Sequence, residues 1–471
     1  MFHVGGRWVR PEGATTGPVF EAATGKPLGE VAEAGPGDVD RAVAAAREAG
    51  PKWEATPPAE RARLMEALAD AVSRRTEPIS TLISRQNGMP LAMSRVANPV
   101  AMDGILRYYA GLAREDRFDE TRPALSYQGY VQLQRHPVGV VAMIVPWNYP
   151  LGLTAMKLAP ALAAGCTVVL KPAPETSLDA ELLVAGIEEA GFPPGVINLI
   201  TGGRPTGEAL VRHPGIDKVA FTGSTAAGRL VGAVCGAALK PVTLELGGKS
   251  AAVILDDADL SAVMPALAFL SFANAGQSCF LHSRILAPRR RYDEVVEALA
   301  GVARSFVLGN PLDPATTMGP LVSARQRDRV EEYIAIGRAE GARTVTGGGR
   351  PDGDGWFVEP TVFAGVDNAM TVAREEIFGP VVCVLSYDDA EQAVAIANDS
   401  DYGLAGSVWS SDPEHALQVA RKIDTGTIGV NMWTLDPVAP LSGWKASGLG
   451  RELGPEGLDA YLDTKSIFVP K

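Results

Sequence analysis

Along the chain, the apolar positions change period near residue 127. Before it, after a short β-like start, they recur at helical spacing. Asp38 is placed to cap a helix whose inner face carries Val39, Ala42, Val43 and Ala46. Pro57 and Pro58 open a second helix, with Leu64, Leu68 and Val72 aligned. Beyond residue 127, short apolar runs alternate with helical stretches. Strands are predicted over 138–145, 167–170, 196–200 and 218–221, and helices over 157–164 and 178–190. After Gly247-Gly248 the alternation resumes, with strands over 251–255, 284–287 and near 381–385. The accompanying helices cover 260–272, a stretch ending by Phe306, and segments starting at 324 and 390. Apolar strands alternating with helices predict parallel sheets covered on both faces, in two successive α/β units. Two segments belong to neither unit. Residues 127–135 alternate like a half-exposed strand, and 461–469 read the same way. Paired with each other, they predict a small arm whose open edge invites a partner chain. No internal repeat is visible, and Gly347-Gly348-Gly349 is a turn cluster.

Composition narrows the class. With 471 residues, 46% hydrophobic and 21% charged, the chain has globular composition. At roughly 150 residues per domain it holds about three domains' worth of material. A net charge of −12 argues against a nucleic-acid partner. The basic run Arg289-Arg290-Arg291 is followed by Asp293, Glu294 and Glu297, as a solvated helix start would be. No stretch approaches the roughly 20 apolar residues of a membrane span, and the first ten residues carry no signal core, so the cytoplasm is expected. Four cysteines form no CxxC pair and five histidines form no HExxH motif, so no metal is expected.

Four places could carry chemistry. Cys166 and Cys383 sit in apolar strand contexts and Cys235 in a small-residue helix, which suits inert packing. Cys279 instead follows the loop Asn274-Ala-Gly-Gln-Ser278. Such a loop can expose a nucleophilic thiol of depressed pKa, open to alkylation ahead of Cys166 and Cys383, or hold an ordinary loop cysteine. Glu245, in Val242-Thr-Leu-Glu-Leu-Gly-Gly248, is either a buried carboxylate of raised pKa suited to general-base work or a residue on an exposed edge strand. Phe221-Thr-Gly-Ser-Thr-Ala-Ala-Gly228 runs from strand to helix without GxGxxG spacing, as a phosphate site at a helix N-terminus or a plain tight turn. Asn148, after a buried strand, could donate to an oxyanion or cap its turn.

Together these words occur in one order, with Val145-Pro-Trp-Asn-Tyr-Pro150, Lys171-Pro-Ala-Pro-Glu175, Glu375-Glu-Ile-Phe-Gly-Pro380 and Pro440-Leu-Ser-Gly-Trp-Lys445. The chain thereby resembles the aldehyde dehydrogenase superfamily, from about residue 5 to residue 469. The resemblance implies an α/β fold: a Rossmann-like dinucleotide-binding domain over 1–117 and 138–246, an α/β catalytic domain over 247–445, and a β oligomerisation arm over 118–137 and 446–471. It implies oxidation of an aldehyde to its acid with NAD(P), through a thioester on Cys279 that is hydrolysed by water activated at Glu245. Asn148 and the Cys279 N–H would hold the oxyanion, and Lys157 and Glu452 would relay protons. Cofactor contacts would come from Ile144, Pro146, Trp147, Lys171, Pro174, Glu175, Gly223, Ser224, Leu246, Glu376 and Phe378. Tyr149, Leu153, Met156, Ser278, Phe280, Trp433 and Leu441 match substrate-funnel positions.

The sequence departs from the family pattern at two places. Many NAD-preferring relatives carry Glu three residues after the motif lysine; here that place is Pro174 and the acid is Glu175. NAD is expected, with NADP left open. Leu441 stands where many relatives carry Phe. The funnel set is apolar and aromatic, with no Arg or Lys to grip a second carboxylate, so an apolar or aromatic aldehyde is expected. A CoA-acylating enzyme and a catalytically silent binding protein on this fold are the rival readings. Retention of Glu245 speaks against the first, and of Cys279, Glu245 and Asn148 against the second. The expected assembly is a homodimer or homotetramer.

Overall fold

The structure, a computed structural model, describes residues 1–13, 15–115 and 118–471. Two large sheets and a small one organise it. In the first sheet the strands Ile197–Leu199, Thr167–Lys171, Val140–Ile144, Lys218–Thr222 and Val242–Glu245 lie side by side and all parallel. Chain order reverses between Val140–Ile144 and Lys218–Thr222, which makes the carboxyl ends of these strands a topological switch point. Antiparallel strands flank this parallel set: Phe2–Val4, with Arg7–Val9 beyond it, on one side and Gly448–Leu449 on the other. Alternate residues of Val140–Ile144 serve two cores. Val141 and Met143 pack under one helical layer, and Val140, Ala142 and Ile144 under the other. Both faces being covered is why this strand reads as an unbroken apolar run.

The second sheet runs Arg343–Thr346, Thr361–Ala364, Val381–Tyr387, His282–Pro288, Ser250–Ile254, Gly406–Trp409 and Gly429–Val430, parallel except for its first pair. Gly248, Cys279, Gly379 and Leu404 each stand just before one of its strands. The two units thus meet with carboxyl ends of one sheet facing amino ends of the other. The third sheet is the antiparallel set Leu462–Pro470, Gly129–Pro137 and Asp119–Pro123, the first pair in register over its whole length. The arm expected from two segments therefore has a third strand. Of the segment 446–471, expected in the arm, Gly448–Leu449 pairs with the first sheet instead. The boundary expected at 117 falls outside the described residues.

Several expectations need correction. Asp38 does not cap its helix from outside; the helix starts at Pro36 with Gly35 as N-cap, and the Asp38 carboxylate accepts the Gly35 N–H at 3.0 Å from the third helical position. The helix predicted from 157 begins at Pro150. Nearly all of Pro150–Ala164 is buried, so no polar face marked its start. Cys166 is buried as expected, but in the turn before the Thr167–Lys171 strand. The pattern also missed the hairpin Thr16–Glu21 with Lys26–Ala32, and the helices Thr76–Asn87 and Ala101–Arg114. No helix among the described residues is long and apolar enough to cross a membrane.

Candidate active site

The junction between the two large sheets gathers three loops. The first is the turn after Val140–Ile144. Asn87 donates to the Trp147 carbonyl at 2.9 Å and Asn274 to the Asn148 carbonyl at 3.1 Å, which fixes this turn from two sides. Asn148 is buried. Its amide nitrogen donates to the Gln277 carbonyl at 3.1 Å, which leaves the second N–H of that amide free. The second loop carries the thiol. Asn274 and Ala275 are both left-handed, at φ 51° and 53°, and Gly276 follows at φ 78°. A Cβ on Gly276 would stand 1.9 Å from the Gly379 carbonyl oxygen. Such backbone costs about 1–3 kcal/mol per non-glycine residue and is held only where surroundings overdetermine it. Here Gln277 does so, donating twice to the Asn274 carbonyl, at 3.1 Å from its backbone and 2.9 Å from its side chain, while accepting Val322 N–H at 3.0 Å. The third loop, after Val242–Glu245, passes so close that a Cβ on Gly248 would meet the Cys279 carbonyl oxygen at 2.3 Å.

Cys279 is the one half-buried cysteine of four; the others are buried. Its thiol is not of depressed pKa. Burial, then the nearby carboxylates of Glu376 and Glu245, push it up to about 12, against the pull of the Cys279 and Phe280 N–H groups. The expectation of an acidic thiol is therefore corrected: burial above all, and then the charges of two carboxylates that sequence cannot place, keep the proton on the sulfur. Glu245 is buried, and neither of its oxygens has a partner. Burial and the charge of Glu452 hold its pKa well above the usual carboxylate range, with Lys157 opposing. The exposed-edge alternative falls away, since Gly448–Leu449 covers that edge. Behind Glu245, buried Lys157 donates to Glu452 Oε1 at 2.6 Å and to the Thr222 hydroxyl.

The residues expected at the cofactor line the switch point. Ile144, Pro146 and Trp147 follow one strand, Lys171 ends the next, and Leu246 follows Glu245. Lys171 Nζ donates to the carbonyls of Pro172 at 3.0 Å and Gly202 at 2.9 Å, and burial lowers its pKa to about 8. Pro174 opens a single turn to Thr176. Glu175 reaches Arg325 at 3.4 Å. Ser224 caps the Thr225–Ala237 helix by accepting Ala227 N–H at 3.3 Å, and is exposed. Gly223 packs on the Phe221 ring and Gly228 on Leu246, where a Cβ would come within 2.6 Å and 2.4 Å. Glu376 accepts the Gly248 N–H at 3.0 Å, and burial raises its carboxyl to about 7. Phe378, left-handed at φ 61°, meets Trp147 edge-on at 5.4 Å.

On the other side of Cys279 the funnel residues form an aromatic stack. Phe280 lies between Tyr149, at 6.3 Å, and Trp433, at 4.7 Å. The Tyr149 hydroxyl bonds the Ser278 hydroxyl. Met156 and Leu441 are buried and Leu153 half-buried. Leu441 exchanges backbone hydrogen bonds with Glu452, at 2.6 and 2.9 Å, so Leu441 is joined to the buried ion pair. Sequence reasoning missed His282, which meets Trp433 edge-on at 6.1 Å and is held neutral by burial, with a pKa of about 4. It also missed Asn87 and Thr222. Nothing in their local sequence signals a role, which depends on which loops they touch. Asn274 and Gln277 were visible in the loop but not as its braces.

Comparison with known proteins agrees with this arrangement. A model of the aldehyde dehydrogenase family matches residues 8–467. A geranial dehydrogenase of Castellaniella defragrans is 50% identical over 470 residues, covering 99% of this chain and 98% of the relative. A 3-succinoylsemialdehyde-pyridine dehydrogenase of Pseudomonas is 42% identical, covering 99% and 98%. The solved Mycobacterium tuberculosis aldehyde dehydrogenase complexed with NAD+ superposes with a TM-score of 0.97 at 48% identity, covering 99% of this chain and 97% of that one.

Proposed function

This chain belongs to the aldehyde dehydrogenase family, and on that premise we propose how its own residues divide the reaction. It oxidises an aldehyde to the carboxylic acid with NAD(P) as the electron acceptor. NAD fits the switch point: the exposed, Ser224-capped helix end offers N–H groups to a pyrophosphate, the tightly packed Gly223 and Gly228 let backbone approach it, and Lys171 has a third donor unspent. Glu376 and Phe378, with Ile144, Pro146, Trp147, Pro174, Glu175 and Leu246, complete the cofactor contacts. When bound, NAD supplies the hydride acceptor.

The single observation that carries the division of roles is a half-buried thiol beside a buried carboxylate with no partner of its own. Cys279, as thiolate, adds to the aldehyde carbon. The free N–H of the Asn148 amide and the Cys279 backbone N–H stabilise the oxyanion. Loss of hydride leaves a thioester on Cys279. Glu245, whose carboxyl is held well above the usual carboxylate range by burial and by the charge of Glu452, takes a proton from water as that water attacks. Lys157 and Glu452 pass the proton onward. The Tyr149–Phe280–Trp433 stack, with Leu153, Met156, Ser278 and Leu441, favours an apolar or aromatic aldehyde, a preference in keeping with the name of the geranial dehydrogenase relative. The same proposal includes the domain division stated above, with Gly448–Leu449 assigned to the first sheet and not to the arm, a cytoplasmic location, and assembly into a homodimer or homotetramer through the three-stranded arm.

Glu245→Gln tests the roles. In rapid mixing it should give a burst of reduced cofactor, at most about one equivalent per site, and then turnover slower by about 10²–10⁴-fold, with the acyl group on the Cys279 peptide. Near-normal steady-state turnover would overturn the reading. An aldehyde panel run with NAD and NADP, with and without CoA, tests substrate class, cofactor and the acyl acceptor together.

A further inference from the structure

We propose that the proton taken up by Glu245 leaves along a buried polar seam on one face of the first sheet, through Glu452, the Tyr461 hydroxyl and the Lys218 amine, to solvent at the C-terminal arm. The inference rests on the reading of Glu245 as the base. Its foundation is strand register. In the parallel pair, Thr222 is level with Glu245 and Ala220 with Thr243. Side chains alternate along a strand, so Lys218, Thr222, Thr243 and Glu245 share a face. The opposite face, with Val219, Phe221 and Leu244, is apolar. Hydrogen bonds tie polar side chains together at both ends of this face: Lys157 to Thr222 at the catalytic end, and Lys218 to the Thr243 hydroxyl at 2.9 Å at the far end. Spanning Lys218 to Thr222, the seam is about 13 Å long at ~3.3 Å per residue.

Two buried atoms beside this seam, Glu452 Oε2 and the Tyr461 hydroxyl, are left without a hydrogen-bond partner. An unsatisfied buried hydroxyl destabilises a fold, and phenylalanine would pack as well. Tyr109, the neighbouring phenol, is spent on the Gly454 carbonyl at 3.0 Å, so Tyr461 is the free one. Lys218, 2% exposed, carries its amine over the Tyr461 ring, 5.2 Å from its centre, within a side-chain swing of the hydroxyl. Burial lowers Lys218 to about 8, so the amine exchanges a proton near neutral pH. The groups that face it are Cys166, Glu452, Cys235 and Asp463, with the Tyr461 ring and Thr243. Asp463 opens the arm strand and is exposed, which places the outlet there.

The steps balance. Water attack forms the new C–O bond, the C–S bond breaks, sulfur leaves as thiolate, and one water proton passes to Glu245. Glu452 takes it on Oε2 while Lys157 holds Oε1. The Tyr461 oxygen accepts that proton and releases its own to neutral Lys218, which discharges to solvent. No electrons move after hydride loss.

Tyr461→Phe and Lys218→Met test it, with Glu245→Gln run alongside. The readouts are the burst of reduced cofactor and the decay of the acyl group on Cys279, followed against pH and in heavy water. Both variants should keep the burst and lose acyl decay by at least about tenfold. Tyr461→Phe should melt no lower than the parent, since its hydroxyl bonds nothing. Parent deacylation should rise through an inflection near pH 8 that Lys218→Met lacks; Lys171 and Lys249, also lowered to about 8, remain in that variant. Parent-like decay in Tyr461→Phe overturns the inference, as does slowed decay with pH profile and solvent isotope effect unchanged. If Lys218→Met fails to fold, Tyr461→Phe decides alone. If Glu245→Gln stalls as acyl-enzyme while both seam variants behave as parent, the base stands and the seam falls. If Glu245→Gln deacylates normally, both fall.

Discussion

As the proposed nucleophile, Cys279 would owe its reactivity to position, not to acidity. The carboxylates of Glu376 and Glu245 add to burial in keeping its proton on, so a thiolate forms only when a base or a higher pH removes it. Iodoacetamide should still label Cys279 before Cys166 and Cys383, because those two are buried. The rate should climb about tenfold per pH unit between about pH 7 and pH 9. A plateau already present near pH 7 would contradict the raised thiol. Glu376→Gln removes one of the opposing charges, so its labelling should be faster at a given pH. Cys279→Ala should abolish dehydrogenase turnover while cofactor binding, measured by fluorescence titration, stays close to the parent's; residual dehydrogenase activity would remove Cys279 from its role. The residue identities here were legible: Cys279 and Glu245 stand in motif words. Their electrostatics were not, because the charge beside Cys279 comes from Glu376, 97 positions on.

Among elements, the thiol loop is the most constrained. Its left-handed run from Asn274 to Gly276 is braced by Gln277, and Gly276 lies so close to Gly379 that no room is left for a side chain. Gly276→Ala should therefore separate the two loops and misplace Cys279. We expect turnover to fall by about 10²-fold or more, as a misplacement near 1 Å does, with far-UV circular dichroism unchanged. Activity within a fewfold of the parent would show that the loop relaxes freely. The arm is the second such element. Leu462–Pro470 pairs along its length with Gly129–Pro137 and leaves its other edge open. Deleting residues after Asp459 should remove that edge and yield monomers or aggregates in light scattering; a soluble truncated chain of unchanged oligomer mass would count against assembly through the arm. The strand Gly129–Pro137 was foreseen from the two-residue alternation of 127–135, and Leu462–Pro470 as a further strand outside both α/β units. Asp119–Pro123 was not, since Asp-Glu-Thr-Arg-Pro carries no apolar pattern at all.

At the scale of the whole molecule, stability should depend on pH through a carboxyl that takes no part in the proposed chemistry. Asp179 is buried at the start of the Ala180–Ala190 helix, with Gln86 donating to it at 2.9 Å. Burial raises it to about 7, above the value of 3.8 for a free aspartate. Its proton is therefore bound more tightly folded than unfolded. The stability this contributes is full below about pH 4 and is lost as pH rises through about 7, on the order of a few kcal/mol. Asp179→Asn, which can keep the Gln86 bond, should thus melt higher than the parent at pH 8, with the gap closing as pH falls. An equal difference at both ends of that range would show that Asp179 does not titrate in the folded chain.

By itself, the sequence determined the alternation of strands and helices, the two α/β units, the wording of the thiol, amide and carboxylate motifs, and the arm. These follow from local rules: apolar period, turn residues, and short words whose chemistry is carried by neighbours in the chain. Only the tertiary structure decided that Gly448–Leu449 buries the edge beside Glu245, that burial and two carboxylates hold the Cys279 proton, and that Lys218 and Tyr461 lie on the face of the sheet that carries Glu245. Each of these depends on register and on burial among distant residues. A single strand fixes which of its own side chains share a face, but only its neighbour's position fixes what that face meets.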